Sequence, residues 1–416
     1  MANLFPDSLH IDRERRHLTL DPCEAAFFQN PYPAYAELHR ASVPLWWEEI
    51  ACLAIAEHRL ISAILRDRRF GRIVPDSDGR PESTPAPAQS RNFYGLELNS
   101  LMELEPPTHT RLRSLVSRGF VSRRIDPLEP AIAAIADGLI DSFAGAGSID
   151  LVGSFATPLA VAVIARLVGL PDDAHADMLD WSHQMVAMYQ FGRSPAVEAA
   201  ADAAATRFRD FMRSTIAARR RQPGTDLISA LITAETETSR LSEDEMIATL
   251  ILLMNAGHEA TVHQIGNGVK AILESGENGT SLFATRDDSM RTVEEMLRFD
   301  TPLHLFRRIA LEDVELSGGT NLRRGEPVAL LLAAGNRDPR RFAAPDRFNP
   351  ARDASGHVSF GAGIHFCIGA PLARLELAVA LERLFQRLPH IQIASPPRYA
   401  DSWHFHGLER LDLTLS

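Results

Sequence analysis

A single cysteine in a glycine-rich segment limits the folds open to this chain more than any other feature does. Residues 360–369 read Phe-Gly-Ala-Gly-Ile-His-Phe-Cys-Ile-Gly, and Ala-Pro-Leu-Ala-Arg follows. Glycine lets a backbone turn tightly and approach a flat ligand. Pro371 suits the first turn of a helix, so Cys367 should lie just before a helix N-terminus, whose N–H groups and dipole favour a thiolate. The segment therefore predicts a cysteine presented to a metal.

The residues around Cys367 decide between two interpretations. A lone cysteine is often a small buried hydrophobe rather than a ligand. Here, however, residues 360–369 resemble the haem-binding signature of the cytochrome P450 family, Phe-x-x-Gly-x-(His or Arg)-x-Cys-x-Gly, at every position. The resemblance implies haem b as the cofactor, with Cys367 as the axial thiolate ligand of its iron. It also implies that the loop contacts the haem through Phe360, Gly361, His365 and Gly369.

Length and composition favour one large domain. The chain has 416 residues and no segment that reads as a linker, so we expect a haem domain over residues 31–416 with residues 1–30 as an extension packed on or near it. Residues 1–18 are charged and lack an apolar run, and three cysteines favour a reducing compartment. We therefore expect a cytoplasmic monomer without a membrane anchor. A net charge of -11 disfavours nucleic-acid binding.

Periodicity predicts a mainly α protein with small β-sheets, an α+β arrangement that matches the fold implied by the family resemblance. Helices are predicted over residues 33–41, 109–117, 129–143, 158–168, 195–221, 226–234 and 371–388. Strand-like alternation is confined to residues 44–55, 308–316, 327–332 and 411–415.

One predicted helix is unusually long and runs from residue 243 to about residue 274. Ser242 and Glu245 form a capping box at its start. Some 30 residues give a helix of about 45 Å, enough to cross a domain. In its middle Ala256 is followed by a glycine, which is either a notch for helix packing or, by the family resemblance, room for dioxygen beside the haem.

The residues after this notch depart from the family pattern. In most members a threonine follows the acidic residue and helps to deliver protons to dioxygen. Here Ala260 follows Glu259, and Thr261 comes one residue later, about 100° further round the helix. We assign these three residues to the catalytic site. Either water or a substrate hydroxyl supplies the missing donor, or the coupling of electrons to product is poor, while Glu259 keeps a proton route open.

Glu295 and Arg298 lie three residues apart on a helix predicted to start near Ser289, so they share a face and can pair. Such a pair is often only a surface contact. By resemblance it is the family's Glu-x-x-Arg element, and Arg347 is the third member of a buried charge cluster. The resemblance gives this triad a structural role in holding the segment before the cysteine loop.

Haem carries two propionates, which need cationic or hydrogen-bond-donating partners. By resemblance these partners are His109, Arg113, Arg308 and His365, each of which could otherwise be an ordinary surface cation. Four further arginines lie near the first of these positions, namely Arg111, Arg118, Arg123 and Arg124. They would form a basic surface for an acidic iron–sulfur protein. The partners implied are ferredoxin and its NAD(P)H-dependent reductase.

The resemblance also implies which segments line a substrate pocket. The candidate lining residues are Phe93, Leu96, Met188, Asn255, Leu303, His304, Leu305, Trp403 and Phe405. They are mainly apolar, so a hydrophobic small molecule is the expected substrate. His304 either gives that substrate one hydrogen bond or packs in the core.

The function predicted is that of a haem-thiolate monooxygenase of the bacterial type, which takes O2 and two electrons. Two alternatives remain open. One is a peroxygenase driven by hydrogen peroxide, although such enzymes typically lose the acid that Glu259 preserves. The other is a haem sensor or carrier without turnover. Product formed with NADH and a ferredoxin pair, but not with peroxide alone, would separate all three.

Overall fold

The computed structural model describes residues 5–82, 87–233, 241–316 and 319–415, with the backbone alone at residues 122 and 123. Helices dominate these ranges. They are α1 Ala25–Gln29, α2 Tyr32–Ala41, α3 His58–Arg66, α4 Arg91–Glu97, α5 Thr108–Ser117, α6 Ser122–Ile125, α7 Glu129–Phe143, α8 Thr157–Val168, α9 His175–Val186, α10 Pro195–Arg221, α11 Leu227–Thr233, α12 Glu243–Ser275, α13 Gly279–Leu282, α14 Arg286–Phe299, α15 Leu332–Asn336 and α16 Ala370–Arg387.

The strands are short. They are β1 His10–Asp12, β2 His17–Thr19, β3 Leu45–Trp47, β4 Cys52–Ile55, β5 Phe70–Gly71, β6 Ser148–Asp150, β7 Leu305–Ala310, β8 Val314–Leu316, β9 Thr320–Leu322, β10 Pro327–Leu331, β11 Gln392–Ile393, β12 Arg398–Tyr399, β13 Leu408–Arg410 and β14 Asp412–Thr414. Seven of them form one sheet in the order β1-β2-β3-β4-β10-β7-β5. A second sheet has the order β11-β14-β6.

The fold class is confirmed as mainly α with small sheets, and most predicted elements are present. The helix over 195–221 has the predicted bounds, because Ser194 caps it and Pro195 begins it. All four predicted strands have wrong bounds, and the last of them, residues 411–415, is the shorter strand β14 at residues 412–414. Residues 44–55 form two strands around a turn with Ala51 at φ 48°, residues 308–316 break after Ala310, and residue 332 already belongs to α15. The predicted helix end at residue 234 lies outside the described residues.

The first thirty residues take part in the packing of the rest of the chain. Strands β1 and β2 extend the large sheet through β3. Leu18, Leu20 and Phe27 are fully buried in one core cluster with Trp403 from the other end of the chain. The division of the chain after residue 30 stays a prediction. No helix in the described part of the chain is long and apolar enough to span a membrane.

Helix α12 is the central element that the sequence predicts, and it spans 33 residues. The capping box is confirmed, since the Ser242 side chain accepts from the Glu245 N–H while the Glu245 side chain accepts from the Ser242 N–H. The helix packs against α8, α10, α14 and α16. Near its end Lys270, the only lysine of the chain, pairs with Glu274 at 2.7 Å.

Candidate functional site

The cysteine loop, residues 360–369, lies between the segment that follows α15 and the N-terminus of α16. The Cys367 N–H donates to the Phe360 carbonyl at 3.0 Å, which closes the loop on itself. Gly361 and Gly363 have φ angles of 65° and 72° in the left-handed region, where other residues are strained. A Cβ atom at Gly363 would lie 2.1 Å from the Leu65 carbonyl oxygen. The backbone of α3 therefore requires glycine there.

The Cys367 side chain is half-buried and lies beside the first turn of α16. Burial raises the pKa of its thiol, while the N–H groups of Gly369 and Ala370 and the guanidinium of Arg113 act in the opposite direction. These donors stabilise a thiolate. Arg113 itself donates to the Phe366 carbonyl at 2.6 Å. A ligand with positive charge in front of the sulfur would favour the thiolate further.

Buried groups beside the loop lack the partners that their chemistry needs. His109 is 2% exposed, and neither of its ring nitrogens has a hydrogen-bond partner. Burial, together with neighbouring His365, lowers its pKa to about 4. Burial likewise lowers the pKa of Arg308 to about 9. Unpaired donors and a buried cation fit a ligand with anionic groups.

His365 has a protein partner that the sequence did not suggest. Its Nε2 lies 3.1 Å from Oε1 of buried Glu105, and its ring centroid lies 4.3 Å from that of His109. Glu105 also accepts from the Arg72 N–H at 2.6 Å. Glu105 precedes α5, which begins at Thr108, so no helical spacing in the sequence points to it. The structure thus brings all four predicted propionate partners near the loop, with Glu105 among them.

Helix α12 presents its small residues as predicted. Ala256 is exposed although its neighbours Met254 and His258 are buried, so its methyl faces open space. The next residue, Gly257, has no room for a side chain, because a Cβ atom would lie 2.7 Å from Ile164 of α8. Gly257 therefore serves helix packing against α8, while Ala256 leaves space on another side of the helix.

Thr261 does not act as a free hydroxyl. It is 6% exposed, and its Oγ1 donates to the Gly257 carbonyl at 3.2 Å. Because successive residues of a helix are about 100° apart, the Thr261 side chain points away from the face that carries Ala260. Its hydroxyl bonds to a carbonyl of its own helix instead. Its assignment to the catalytic residues stays a prediction, and Ala260 brings no donor in its place.

Glu259 is surrounded by histidines. His258, His263 and His183 each bring Nε2 within 3.3 to 3.6 Å of its carboxylate. Burial acts to raise the pKa of Glu259, but His258 and His263 outweigh it and hold the pKa well below the usual range. The sequence places His258 and His263 nearby. It gives no sign of His183, which comes from α9.

The predicted pocket residues divide into two groups. Leu303 and Phe405 face each other in an isolated β-bridge and are half-buried. Phe93, Leu96 and Met188 are buried on neighbouring segments, and Asn255 has a buried Oδ1 without a partner. The other three predicted residues are His304, Leu305 and Trp403, and they lie in the core.

His304 shows how this second group is packed. Its Nδ1 bonds to the Tyr35 hydroxyl at 2.8 Å, and the Trp403 indole donates to the same hydroxyl at 2.6 Å. Leu305 and Trp403 pack in the cluster that holds the N-terminal segment. Neighbouring residues of an extended chain point to opposite sides, so Leu303 and His304 cannot share a role. The core interpretation of His304 is the one observed.

A polar contact joins two segments that the sequence predicted to border the pocket. The Tyr189 hydroxyl donates to the Glu97 carboxylate at 3.0 Å. Burial, helped by neighbouring Glu103, raises the pKa of Glu97 to about 7. Sequence inspection singled out the apolar residues here and missed this carboxyl group. It adds one acceptor to segments whose other predicted lining residues are apolar.

The buried charge cluster exists, but its third side chain differs from the prediction. Glu295 and Arg298 are fully buried and form a two-pronged ion pair at 2.7 and 2.8 Å. Arg352 donates to Glu295 at 3.3 Å with 9% of its side chain exposed. Arg347 is exposed and contributes only its carbonyl oxygen. The tight turn before it directs its side chain to solvent, so the prediction for Arg347 is wrong.

A second ion cluster ties the cysteine helix to α14. Glu294 accepts from Arg374 of α16 and lies 3.2 Å from Nε2 of His357. Burial acts to raise the pKa of Glu294, but His357 and Arg374 lower it to about 2. The sequence gave no role to these residues. Because Arg374 follows Cys367 by two turns, this cluster fixes the helix on which the cysteine depends.

The predicted basic surface is only partly available. Arg111 pairs with Glu245 at 2.6 Å, and Arg124 donates to the Thr225 carbonyl at 3.3 Å. Arg118 is exposed. The side chain of Arg123 lies outside the described residues.

A closed cysteine loop before a helix, on a helical fold crossed by one very long helix, is the arrangement that the resemblance to the cytochrome P450 family implies. Comparison with known proteins agrees. The family model for cytochrome P450 matches residues 290–400. Cytochrome P450 107B1 of Saccharopolyspora erythraea is 38% identical over 86% of this chain and 87% of its own. Vitamin D(3) 25-hydroxylase of Pseudonocardia autotrophica is 37% identical over 95% and 96%.

Solved structures agree as well. The crystal structure of P450BioI in complex with an acyl carrier protein carrying hexadec-9Z-enoic acid matches with a TM-score of 0.86, 32% identity and coverage of 94% of this chain and 100% of that one. The chain therefore belongs to the cytochrome P450 family, a bacterial type of oxidoreductase that incorporates oxygen, and family membership implies a haem-thiolate cofactor.

The corrected charge cluster gives a first prediction. Arg352→Ala removes a buried charged hydrogen bond and should lower the free energy of unfolding by roughly 1.5 to 3 kcal/mol. Arg347→Ala, the matched control, should change it by less than about 0.5 kcal/mol. Urea unfolding followed by circular dichroism measures both. Equal losses in the two variants would restore Arg347 to the cluster.

The loop geometry gives a second prediction. Gly325 also has positive φ, at 92°, but nothing lies near its missing Cβ. Gly325→Ala should therefore cost only the left-handed strain, about 1 to 2 kcal/mol. Gly363→Ala should cost more and should reduce the haem content, because the Leu65 carbonyl must also move. If both variants keep the same haem-to-protein ratio and the same stability, the close approach is not a constraint.

The Glu294 cluster gives a pH dependence. Folding lowers the pKa of the Glu294 carboxyl group from 4.5 to about 2. The ionised form therefore stabilises the native state fully above pH 4.5, and this contribution is lost as the pH falls through that window toward 2. The difference in melting temperature between wild type and Glu294→Gln should be largest near neutral pH and shrink below 4.5. Glu277→Gln, at an exposed position, is the control; a constant difference for Glu294→Gln would contradict the linkage.

Proposed function

We propose that this protein is a haem-thiolate monooxygenase that inserts one oxygen atom of O2 into a hydrophobic organic substrate. The observation that carries this proposal is the site beside α16. There Cys367 stands on a closed loop next to buried His109, whose two ring nitrogens have no partner. A sulfur ligand and unsatisfied donors within one site suit a haem with its propionates better than they suit a folded core.

The residues that would hold haem b can be named. Cys367 would be the ligand of the iron, and His109, Arg113, Arg308 and His365 would face the propionates. Phe360, Gly361 and Gly369 of the loop would lie against one side of the macrocycle, and Ala256 of α12 against the other. When bound, the haem supplies the activation of O2 with two electrons.

Proton supply is the task left to the protein. Glu259 is half-buried and lies 3.6 Å from exposed His183, a position from which it can relay a proton inward from solvent. Ala260 has no hydroxyl, and the Thr261 hydroxyl is already committed to Gly257. The last donor is therefore a water molecule or a hydroxyl group of the substrate.

Electrons would come from NAD(P)H through a reductase and a ferredoxin. Exposed Arg118 is part of the basic surface on which an acidic iron–sulfur protein could dock. For the substrate, the half-buried Leu303 and Phe405 supply apolar surface, and Glu97 with Tyr189 supplies a polar contact. The relative named vitamin D(3) 25-hydroxylase and the P450BioI structure with its fatty-acyl carrier protein both concern apolar molecules.

The central test is the spectrum of the reduced protein with carbon monoxide. A thiolate opposite the gas should give the red-shifted Soret band for which the family is named. Cys367→Ala should lose this band, and Cys23→Ala, at an exposed cysteine, should keep it. Product should form with NADH, reductase and ferredoxin. Product formed with peroxide alone would indicate a peroxygenase, and no product with either would indicate a sensor or carrier.

Ala260 gives a prediction about coupling. If the substrate or a water that it holds replaces the missing hydroxyl, Ala260→Thr should improve coupling little with the native substrate. With a surrogate that lacks a hydroxyl, wild type should release peroxide and Ala260→Thr should reduce that release. The measurement is product formed per NADH consumed for both proteins and both substrates. Equal improvement with every substrate would rule out assistance by the substrate.

A further inference from the structure

The histidines around Glu259 form a group whose geometry goes beyond a proton route. One ring nitrogen each of His183 and His258 and a carboxylate oxygen of Glu259 all lie within 4.8 Å of one another. His183 comes from α9 and the other two from α12. Neutral imidazole and carboxylate are the ligands that Zn²⁺ and similar divalent ions prefer when they bind in proteins.

His258 is oriented as a metal ligand is. Its Nδ1 lies 2.8 Å from the Met254 carbonyl oxygen, and since a carbonyl only accepts, Nδ1 carries the proton. In the neutral ring, Nε2 is then a bare lone pair. It is buried, it has no hydrogen-bond partner, and it lies 3.3 Å from Oε2 of Glu259. At this distance the nitrogen and the carboxylate oxygen need either a proton on Nε2 or a cation between them.

The separations match a tetrahedral site. Ligand atoms about 2.0 to 2.1 Å from one zinc ion lie about 3.3 Å from each other. The distance from His258 to Glu259 is 3.3 Å, and that from His183 to Glu259 is 3.6 Å. The backbone hydrogen bond on Nδ1 of His258 is the outer contact that usually fixes a metal-binding histidine. Nε2 of His263, 3.5 Å from the other carboxylate oxygen, holds the carboxylate from behind.

The site also has an entry path. Half of the His183 side chain, 54%, is exposed, whereas that of His258 is 2% exposed. The other grouping of this kind in the described residues, Asp300 with His304 and His406, differs on both counts. It is fully buried, and both oxygens of Asp300 already accept from tyrosine hydroxyls at 2.5 Å.

We propose that His183, His258 and Glu259 bind one divalent cation of the Zn²⁺ class. The bound ion takes Glu259 out of proton delivery and so inhibits turnover reversibly, a consequence that rests on the function proposed above. A side chain that ligates a metal cannot carry a proton from solvent at the same time. The site thus makes the enzyme sensitive to free zinc.

Binding is tested on the haem-loaded protein with zinc sulfate as the probe. The chain is freed of metal with a chelator and dialysed against zinc, and bound zinc per chain is measured by plasma mass spectrometry. Wild type should hold one more zinc ion than His183→Ala, with affinity at the site reduced roughly tenfold to a hundredfold or more in the variant. His175→Ala, on the same helix, is the control and should match wild type. Equal zinc in wild type and His183→Ala overturns the site.

Turnover with the redox partners then separates this proposal from the proposed function. Because His183 also lies on the proposed proton route, the rate of each protein with zinc is compared with its own rate without zinc. Zinc should lower this ratio in wild type and His175→Ala but not in His183→Ala, and a chelator should restore it. Because all three proteins share the same partners, inhibition of the reductase would appear in all of them and would count against the site. Zinc bound through His183 with unchanged turnover would leave the site standing and refute the role of Glu259. If Glu259→Gln forms less product per NADH consumed but wild type binds no zinc, the role of Glu259 in proton delivery stands and the zinc site is refuted.

Discussion

The guanidinium of Arg298 has no access to solvent. The groups to which this guanidinium donates its hydrogen bonds determine the position of the cysteine loop. Two of them go to Glu295 on the same helix, and others go to the carbonyls of Asn336 and Pro345. Asn336 in turn binds the N–H of Val358 and the hydroxyl of Ser359. A chain of buried polar contacts therefore runs from α14 to the residue before the loop begins. A buried charge without its partners costs about 3 to 5 kcal/mol, so the loop and the helix are fixed together.

The elements that the sequence predicted best are those whose ends carry their own signals. Helices α10 and α12 begin at serine caps, and the capping box of α12 is visible in four consecutive residues. The loop around Cys367 was predicted equally well, because the positions of its glycines, its cysteine and the proline after it are explained by the local backbone conformation. In these places neighbouring residues alone determine the conformation.

What could not be predicted depends on contacts between distant segments. Arg347 and Arg352 are equally basic and five residues apart, and only the turn between them decides which one reaches Glu295. His304 and Leu303 are adjacent, yet one packs on Tyr35 and the other faces Phe405. His183 reaches Glu259 across two helices that the sequence separates by more than fifty residues. No local pattern carries this information.

The lone lysine has a practical consequence. Lys270 offers the only side-chain amine of the chain, 19% exposed, and it stands fourteen residues along α12 from Ala256. That spacing is about 21 Å at 1.5 Å per residue. Among the side chains, an amine-reactive fluorophore would therefore attach only at Lys270, within range of energy transfer to a chromophore beside Ala256. The fluorescence of such a dye would be quenched in each molecule that holds haem and unquenched in each molecule that lacks it.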